Sequence, residues 1–274
     1  MPTPADRPAL TDHAALARSR ARARGGAWFL HEAAAAEVKE RLQDVNRTFT
    51  TPAIVTAHPD LWRDVVPGAA LVADAEVLDL APGAHDLIMH AMALHWADDP
   101  VGQLVQCRRA LRPDGLLLAV LPGGETLHEL RAALGRAEAE VSGGLSPRVL
   151  PMGDVRDLGG LLQRAGLALP VADVTTLRAR YRDVRHLAAD LRAMGETNAL
   201  AARHRRTPPR ALFDRADALY RAAHPDGDGI RATFQLVFLT GWAPSEAQPR
   251  PLRPGSAQAR LADALGVAEL GAGR

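Results

Sequence analysis

The chain contains little of several residue types that would otherwise define its chemistry. Only one of its 274 residues is a cysteine, Cys107, which excludes an internal disulfide and a paired-cysteine metal or redox site. Aromatic residues make up 4%, and the formal net charge of +1 gives no electrostatic reason to expect nucleic acid as a partner. No apolar run approaches the length that spans a bilayer. We therefore expect a globular protein of cytoplasmic, bacterial type.

Glycine is missing where an α/β nucleotide-binding sheet normally needs it. Thr51–Ala57 has the composition of a buried strand, and in such sheets a glycine-rich turn follows the first strand so that the backbone can approach the ligand. No glycine occurs between Gly26 and Gly68, and Pro59 lacks the N–H donor that would be useful there. The sequence therefore predicts a first strand without the usual ligand-binding turn.

Arginine recurs at every second position from Arg18 to Arg24, within an alanine-rich N-terminal segment. Arginine-rich helices of this kind occur in organellar transit peptides. The nearby acids Asp6 and Asp12 favour the other interpretation, a basic helix face in contact with solvent.

The clearest structural pattern lies in residues 86–127. Asp86–Ala91 and Leu116–Leu121 are apolar runs of strand length, typical of strands that are buried on both faces. Between them, a helix is predicted to begin at Pro100 and to end before the turn at 112–115. This strand–helix–strand order predicts a parallel sheet covered by helices.

The later segments predict an antiparallel end to that sheet. Val171–Arg180 and Ala232–Trp242 have strand character, with a helical segment at about 184–223 between them. We expect a Rossmann-like α/β fold with a helical lid inserted before the last antiparallel strand. The predicted organisation is an N-terminal helical extension (1–50), the α/β domain (51–244) and a C-terminal arm (245–274).

The front half of the predicted sheet is short. Each parallel crossover needs about a dozen residues, so only one strand–helix–strand crossing fits between Ala57 and Asp74. A helix and a strand of the doubly wound pattern are therefore predicted to be absent.

Several motifs occur in the order found in one known family. They are Leu94-His95-Trp96, Gly123–Arg131 (GGETLHELR), Gly143–Pro147 (GGLSP) and Met194–Asn198 (MGETN). On these motifs the chain resembles the class I S-adenosylmethionine (SAM)-dependent methyltransferase superfamily, and within it the mitochondrial complex I assembly factor 5 group and its alphaproteobacterial relatives. The resemblance implies SAM as cofactor and a complex I subunit or assembly intermediate as protein partner. In the resembling family the location is the mitochondrial matrix.

The resemblance also places candidate cofactor and catalytic residues at the strand ends. Asp74, Leu94 and His95 are the candidate SAM contacts, and His95 (as a base) and Trp96 (stacking on a ligand) are the candidate catalytic residues. In the structural alternative, Trp96 packs against the sheet edge and His95 caps the loop. Asp74 has three interpretations: the carboxylate that contacts adenine, the acid that binds the ribose, or a turn aspartate.

A further set of residues is predicted to contact substrate or to form the lid: Gly123, Gly124, Arg131, Met194, Glu196 and Asn198. The N–H groups of Gly123-Gly124 precede a helix and could receive an anion; a plain tight turn is the alternative. The MGETN segment is predicted to be a lid loop, or alternatively a capped helix break. No metal-ligand spacing appears, so no metal is predicted.

These observations predict a methyltransferase-family protein whose cofactor site is degenerate. Loss of backbone hydrogen bonds and of a ribose carboxylate would lower SAM affinity by roughly two to four orders of magnitude, at ~1.4 kcal/mol per tenfold. If active, the chain would be a SAM-dependent methyltransferase or a related protein-modifying enzyme. The alternative is a non-catalytic assembly factor that no longer binds SAM.

Overall fold

The computed structural model describes residues 9–23 and 28–249. By its internal contacts the chain divides into two units, residues 1–244 and residues 245–274. The predicted C-terminal arm lies outside the described residues except for 245–249.

The described residues form one mixed sheet and eight α-helices. The helices are α1 (His13–Arg20), α2 (Phe29–Asp44), α3 (Pro59–Trp62), α4 (Pro100–Ala110), α5 (His128–Ser142), α6 (Val155–Arg164), α7 (Val184–Ala193) and α8 (Arg210–Ala223). The strands are β1 (Pro52–Thr56), β2 (Ala70–Ala73), β3 (His85–Ala91), β4 (Leu111–Pro122), β5 (Ala168–Tyr181), β6 (Pro225–Asp226) and β7 (Gly229–Trp242).

The strand order confirms the predicted fold class. The strands lie in the order β2-β1-β3-β4-β7-β5, with β6 paired to β7. The four strands from β2 to β4 are parallel, and β7 runs antiparallel to both β4 and β5. This is a Rossmann-like sheet, and the helices α7 and α8 are inserted between β5 and β7 as the lid prediction required.

The truncated front half is visible in the same order. A single helix, α3, connects β1 to β2, and β2 is the edge strand of the described sheet. In the doubly wound pattern a third strand would lie beyond it. The spacing between Ala57 and Asp74 therefore predicted the crossing correctly.

Burial explains why the central strands form where they do. Every residue of β1 is buried, and so are the last five of β3 and the last eight of β4. Such strands need apolar side chains on both faces. One core lies between the sheet and α2, α5 and α8, and a second lies between the sheet and α4 and α6. Among the described residues, no helix has the length and apolar composition needed to cross a membrane.

Candidate functional site

The site is built around the carboxyl ends of the parallel strands, where open α/β sheets bind their ligands. Leu94, His95 and Trp96 form a single 3-10 turn directly after β3. Glu196 reaches this turn from the loop after α7, so the lid and the sheet contribute to one cluster. The structure therefore brings together the MGETN segment and the two candidate catalytic residues.

Glu196 is a partly buried carboxylate held by two donors. Trp96 Nε1 donates to Glu196 Oε2 at 2.8 Å, and His95 Nε2 lies 3.3 Å from the same oxygen. Burial alone would raise the pKa of Glu196, but the charge and hydrogen bond of His95, the charge of Arg20 and the Trp96 N–H outweigh it and lower the pKa to about 2. Glu196 is therefore ionised throughout the physiological pH range.

A cavity of about 260 Å³ lies beside this carboxylate. Its walls are mainly apolar and include Leu127, Leu130, Leu191 and Met194. Among the described residues that line it, Glu196 is the one carboxylate. The lining also contains two arginines, Arg192 and Arg148, of which Arg148 is paired with Glu138. Glu196 is the group of this lining that attracts the cationic head of a ligand with an aliphatic stem.

Helix α1 closes the site from the N-terminal side. Leu16 packs in one small core with Trp96 and the lid residues Ala199 and Leu200. Ser19 Oγ lies 2.6 Å from Thr197 Oγ1, the hydroxyl oxygen of a lid residue. The N-terminal segment is thus part of the site.

The prediction of a solvated arginine face is wrong for one of its members, Arg20. Arg20 Nη1 donates to Asp74 Oδ2 at 2.7 Å, and the two side chains are only 13% and 10% exposed. Asp74 directly follows β2, the strand end at which one of its three interpretations, the acid that binds the ribose, would place it. In this structure the carboxylate is engaged by the protein's own arginine.

Aromatic side chains follow β1 where a glycine turn would normally lie. Trp62 is fully buried, and its Nε1 donates to His31 Nδ1 at 3.2 Å. His58 packs against His31, with ring centroids 5.1 Å apart, and against Trp28 at 4.9 Å. Aromatic side chains therefore occupy the space after β1, where a glycine-rich turn would offer backbone N–H groups to a ligand.

The positions of the candidate SAM contacts are engaged by side chains of the chain itself. The turn after β1, whose backbone would approach the cofactor, carries His58 and Pro59. Asp74, the candidate acid for the ribose, is paired with Arg20. Leu94, the third candidate cofactor contact, packs in the core beside α4.

The remaining predicted residues have structural partners. Gly123 and Gly124 donate their N–H groups to the carbonyls of Gln235 and Gly153, so these groups are not available to an anion. The turn continues to Leu127, whose φ is +54°, and α5 begins at His128.

Arg131 and Asn198 also bond to backbone carbonyls. Arg131 Nη2 donates to Leu150 O at 3.1 Å, and Asn198 Nδ2 donates to Pro147 O at 2.8 Å. Asn198 still lines the cavity, together with Met194 and Glu196.

Sequence reasoning missed Arg20, His31 and His58 as members of the site. Arg20 is one of several alternating arginines, and its partner Asp74 is 54 residues away. Within the described residues, no group of three or more His, Cys, Asp or Glu side chains is arranged to hold a metal ion.

Comparison with known proteins gives a consistent picture. A family model described as a methyltransferase domain matches residues 30–119. The chain is 33% identical over 227 residues to the arginine-hydroxylase NDUFAF5, mitochondrial, of Danio rerio, covering 82% of this chain and 70% of that protein. The Homo sapiens protein of the same name is 37% identical over 198 residues, covering 70% of this chain and 56% of that protein.

A second group of relatives carries a methyltransferase name. The malonyl-[acyl-carrier protein] O-methyltransferase of Laribacter hongkongensis is 37% identical over 182 residues, covering 66% of this chain and 59% of that protein. Among solved structures, the YcgJ protein of Bacillus subtilis has a TM-score of 0.49 at 11% identity, covering 77% of this chain and 99% of that one.

Proposed function

Because the chain belongs to the NDUFAF5 family of methyltransferase-fold proteins, we propose that it binds an arginine side chain of a protein partner during the assembly or modification of respiratory complex I. We also propose that its degenerate cofactor site does not accept SAM. The partner is a complex I subunit or assembly intermediate. A bacterial cytoplasmic location is part of the same proposal.

The ionised Glu196 at the cavity wall carries the proposal. A guanidinium is always protonated in proteins and pairs with a carboxylate through parallel N–H donors. Glu196 uses Oε2 for both Trp96 and His95, and no contact of the described structure assigns Oε1 a partner. The second oxygen is therefore suited to a donor from the ligand.

The cavity walls suit the rest of an arginine side chain. Leu130, Leu191 and Met194 contact an aliphatic stem favourably, because its methylenes leave water on binding. The Trp96 ring also lines the cavity, and a guanidinium over such a ring gains a cation–π interaction of about 0.5–2 kcal/mol. In this proposal His95 and Trp96 orient the carboxylate, and the carboxylate orients the substrate.

The relatives named arginine hydroxylases suggest the substrate class. The proposal that the chain does not bind SAM rests on the pairing of Asp74 with Arg20 and on the aromatic side chains after β1. The same ion pair favours the second candidate function, a non-catalytic assembly factor, because it closes the nucleoside end of the cleft with protein side chains.

Titration of capped arginine (N-acetyl-arginine methylamide) tests the proposed pocket. The Glu196→Gln variant is expected to bind about 10–150-fold more weakly than the unaltered protein, because a hydrogen bond to a charged group contributes about 1.5–3 kcal/mol. Isothermal titration calorimetry measures the affinities.

The matched control is Glu125→Gln, which removes an exposed carboxylate outside the cavity. It should leave the affinity unchanged. Equal binding of arginine and neutral citrulline, or an unchanged affinity in Glu196→Gln, would refute the proposed pocket.

A further inference from the structure

A groove lies between the end of α1 and the end of α7, beside the cavity that Glu196 lines. Its volume is about 830 Å³, within the range of about 300–1,000 Å³ that is typical of ligand sites. Two residues, Arg192 and Thr197, line both the groove and the cavity. The groove therefore adjoins the cavity, and a segment whose side chain fills the cavity can extend into the groove.

Direct contacts between α1 and the loop after α7 hold the walls of the groove together. Ser19 Oγ lies 2.6 Å from Thr197 Oγ1, and a Cβ at Gly195 would lie only 3.1 Å from Arg20 Cα. Half of the groove lining consists of alanines, which are Ala21, Ala23, Ala189 and Ala193. Such short side chains leave room for the main chain of a bound segment.

The charged side chains of the groove have one sign. Arg22 and Arg192 line it, both exposed, and no carboxylate belongs to the described part of its lining. The whole chain has a net charge of only +1, so this is a local excess of positive charge. A guanidinium is always protonated in proteins and binds a carboxylate through parallel N–H donors. The groove therefore suits an acidic group.

Arg192 also affects the ligand of the cavity. Within that lining Glu196 pairs with His95 and Arg148 pairs with Glu138, whereas no carboxylate of the described residues forms an ion pair with Arg192. A ligand guanidinium in the cavity adds a second positive charge near that of Arg192, and like charges repel. A carboxylate beside the ligand arginine offsets this repulsion.

We propose that the groove binds the side chain of an aspartate or glutamate that is next to the inserted arginine in the sequence of the partner protein. Arg192 binds its carboxylate, and Arg22 strengthens the positive potential around it. The inference rests on the proposed function, because the arginine in the cavity determines which partner residues reach the groove. It makes Arg192 a specificity-determining residue.

Two capped tripeptides test the inference in the full chain, one with arginine between two glutamates and one with arginine between two glutamines. Calorimetric titration is expected to show about three- to tenfold tighter binding of the glutamate peptide at about 0.1 M salt. The screening length falls from about 10 Å at 0.1 M to about 3 Å at 1 M salt. The preference should therefore shrink at the higher salt concentration.

Substitutions locate the preference. Arg192→Gln is expected to bring the ratio of the two affinities close to one and to strengthen binding of the glutamine peptide, because the repulsion is removed. Arg22→Gln should lower the ratio less. The matched control is Arg185→Gln, on the same helix as Arg192, 61% exposed and outside both linings, and it should leave the ratio unchanged.

Both peptides carry the same arginine, so their ratio separates the groove from the cavity. Equal affinities in the unaltered chain, or a glutamate preference that persists in Arg192→Gln, would overturn this inference and leave the arginine pocket in place. If neither peptide nor capped arginine binds, the proposed function is refuted and this inference with it.

Discussion

A chain in which His95 and Trp96 are both replaced by alanine is expected to fail to restore complex I activity to a strain that lacks the gene. Both side chains contact the Glu196 carboxylate, at 3.3 and 2.8 Å. Without them the burial of Glu196 is opposed by the charge of Arg20 and no longer by these two partners, so its pKa rises. The carboxylate also loses both groups that hold it at the cavity wall, and we expect little or no activity.

The double variant needs a folding control, because Trp96 is 5% exposed and also packs against α1. Thermal unfolding of the purified variant shows whether it folds. Glu196→Gln, which keeps Trp96 in place, should give the same loss of complex I activity. Full restoration by both variants, each folded, would contradict a role for this pocket and support the non-catalytic assembly factor.

Replacement of Trp62 by alanine is expected to lower the free energy of unfolding by about 3–5 kcal/mol. The side chain is fully buried, and its N–H is the hydrogen-bond partner of His31. The substitution removes a large apolar volume and leaves a buried imidazole nitrogen unpaired. Urea unfolding measures the loss.

Leu145→Ala is the control for this measurement, because Leu145 is 77% exposed, and its effect should stay within about 0.5 kcal/mol. A loss below about 1 kcal/mol in Trp62→Ala would mean that the space after β1 is not tightly filled by this side chain.

The sheet was predictable from the sequence because its strands are buried on both faces. The apolar runs at 86–91 and 116–121 lie within β3 and β4. The truncated front half followed from the number of residues between Ala57 and Asp74 alone, since a parallel crossover needs about a dozen residues. The lid between β5 and β7 followed from two strand patterns separated by helical sequence.

The contacts of Asp74 and of His31 were not predictable in the same way. The Arg20–Asp74 pair joins residues 54 apart in the chain, and nothing in the arginine pattern distinguishes Arg20 from Arg18 or Arg22. The proton position on His31 depends on a contact with Trp62, 31 residues away. Such long-range polar pairs depend on how the helices pack, which periodicity does not encode.

Distant segments of the chain determine the hydrogen bonds of the turn at Gly123-Gly124. The sequence left open whether these N–H groups receive an anion or belong to a plain tight turn, and in the structure β7 and the loop before α6 supply carbonyl partners for both. Those partners come from distant segments of the sequence, at Gln235 and Gly153.

The loss of SAM binding is the central claim, and calorimetric titration of the purified full chain with SAM tests it most directly. Arg20 engages the acid after β2, and His58 and Trp62 fill the segment after β1. We predict a dissociation constant of about 0.1 mM or weaker for SAM, in line with a loss of roughly two to four orders of magnitude from micromolar affinity. Saturable binding with a micromolar dissociation constant would contradict it.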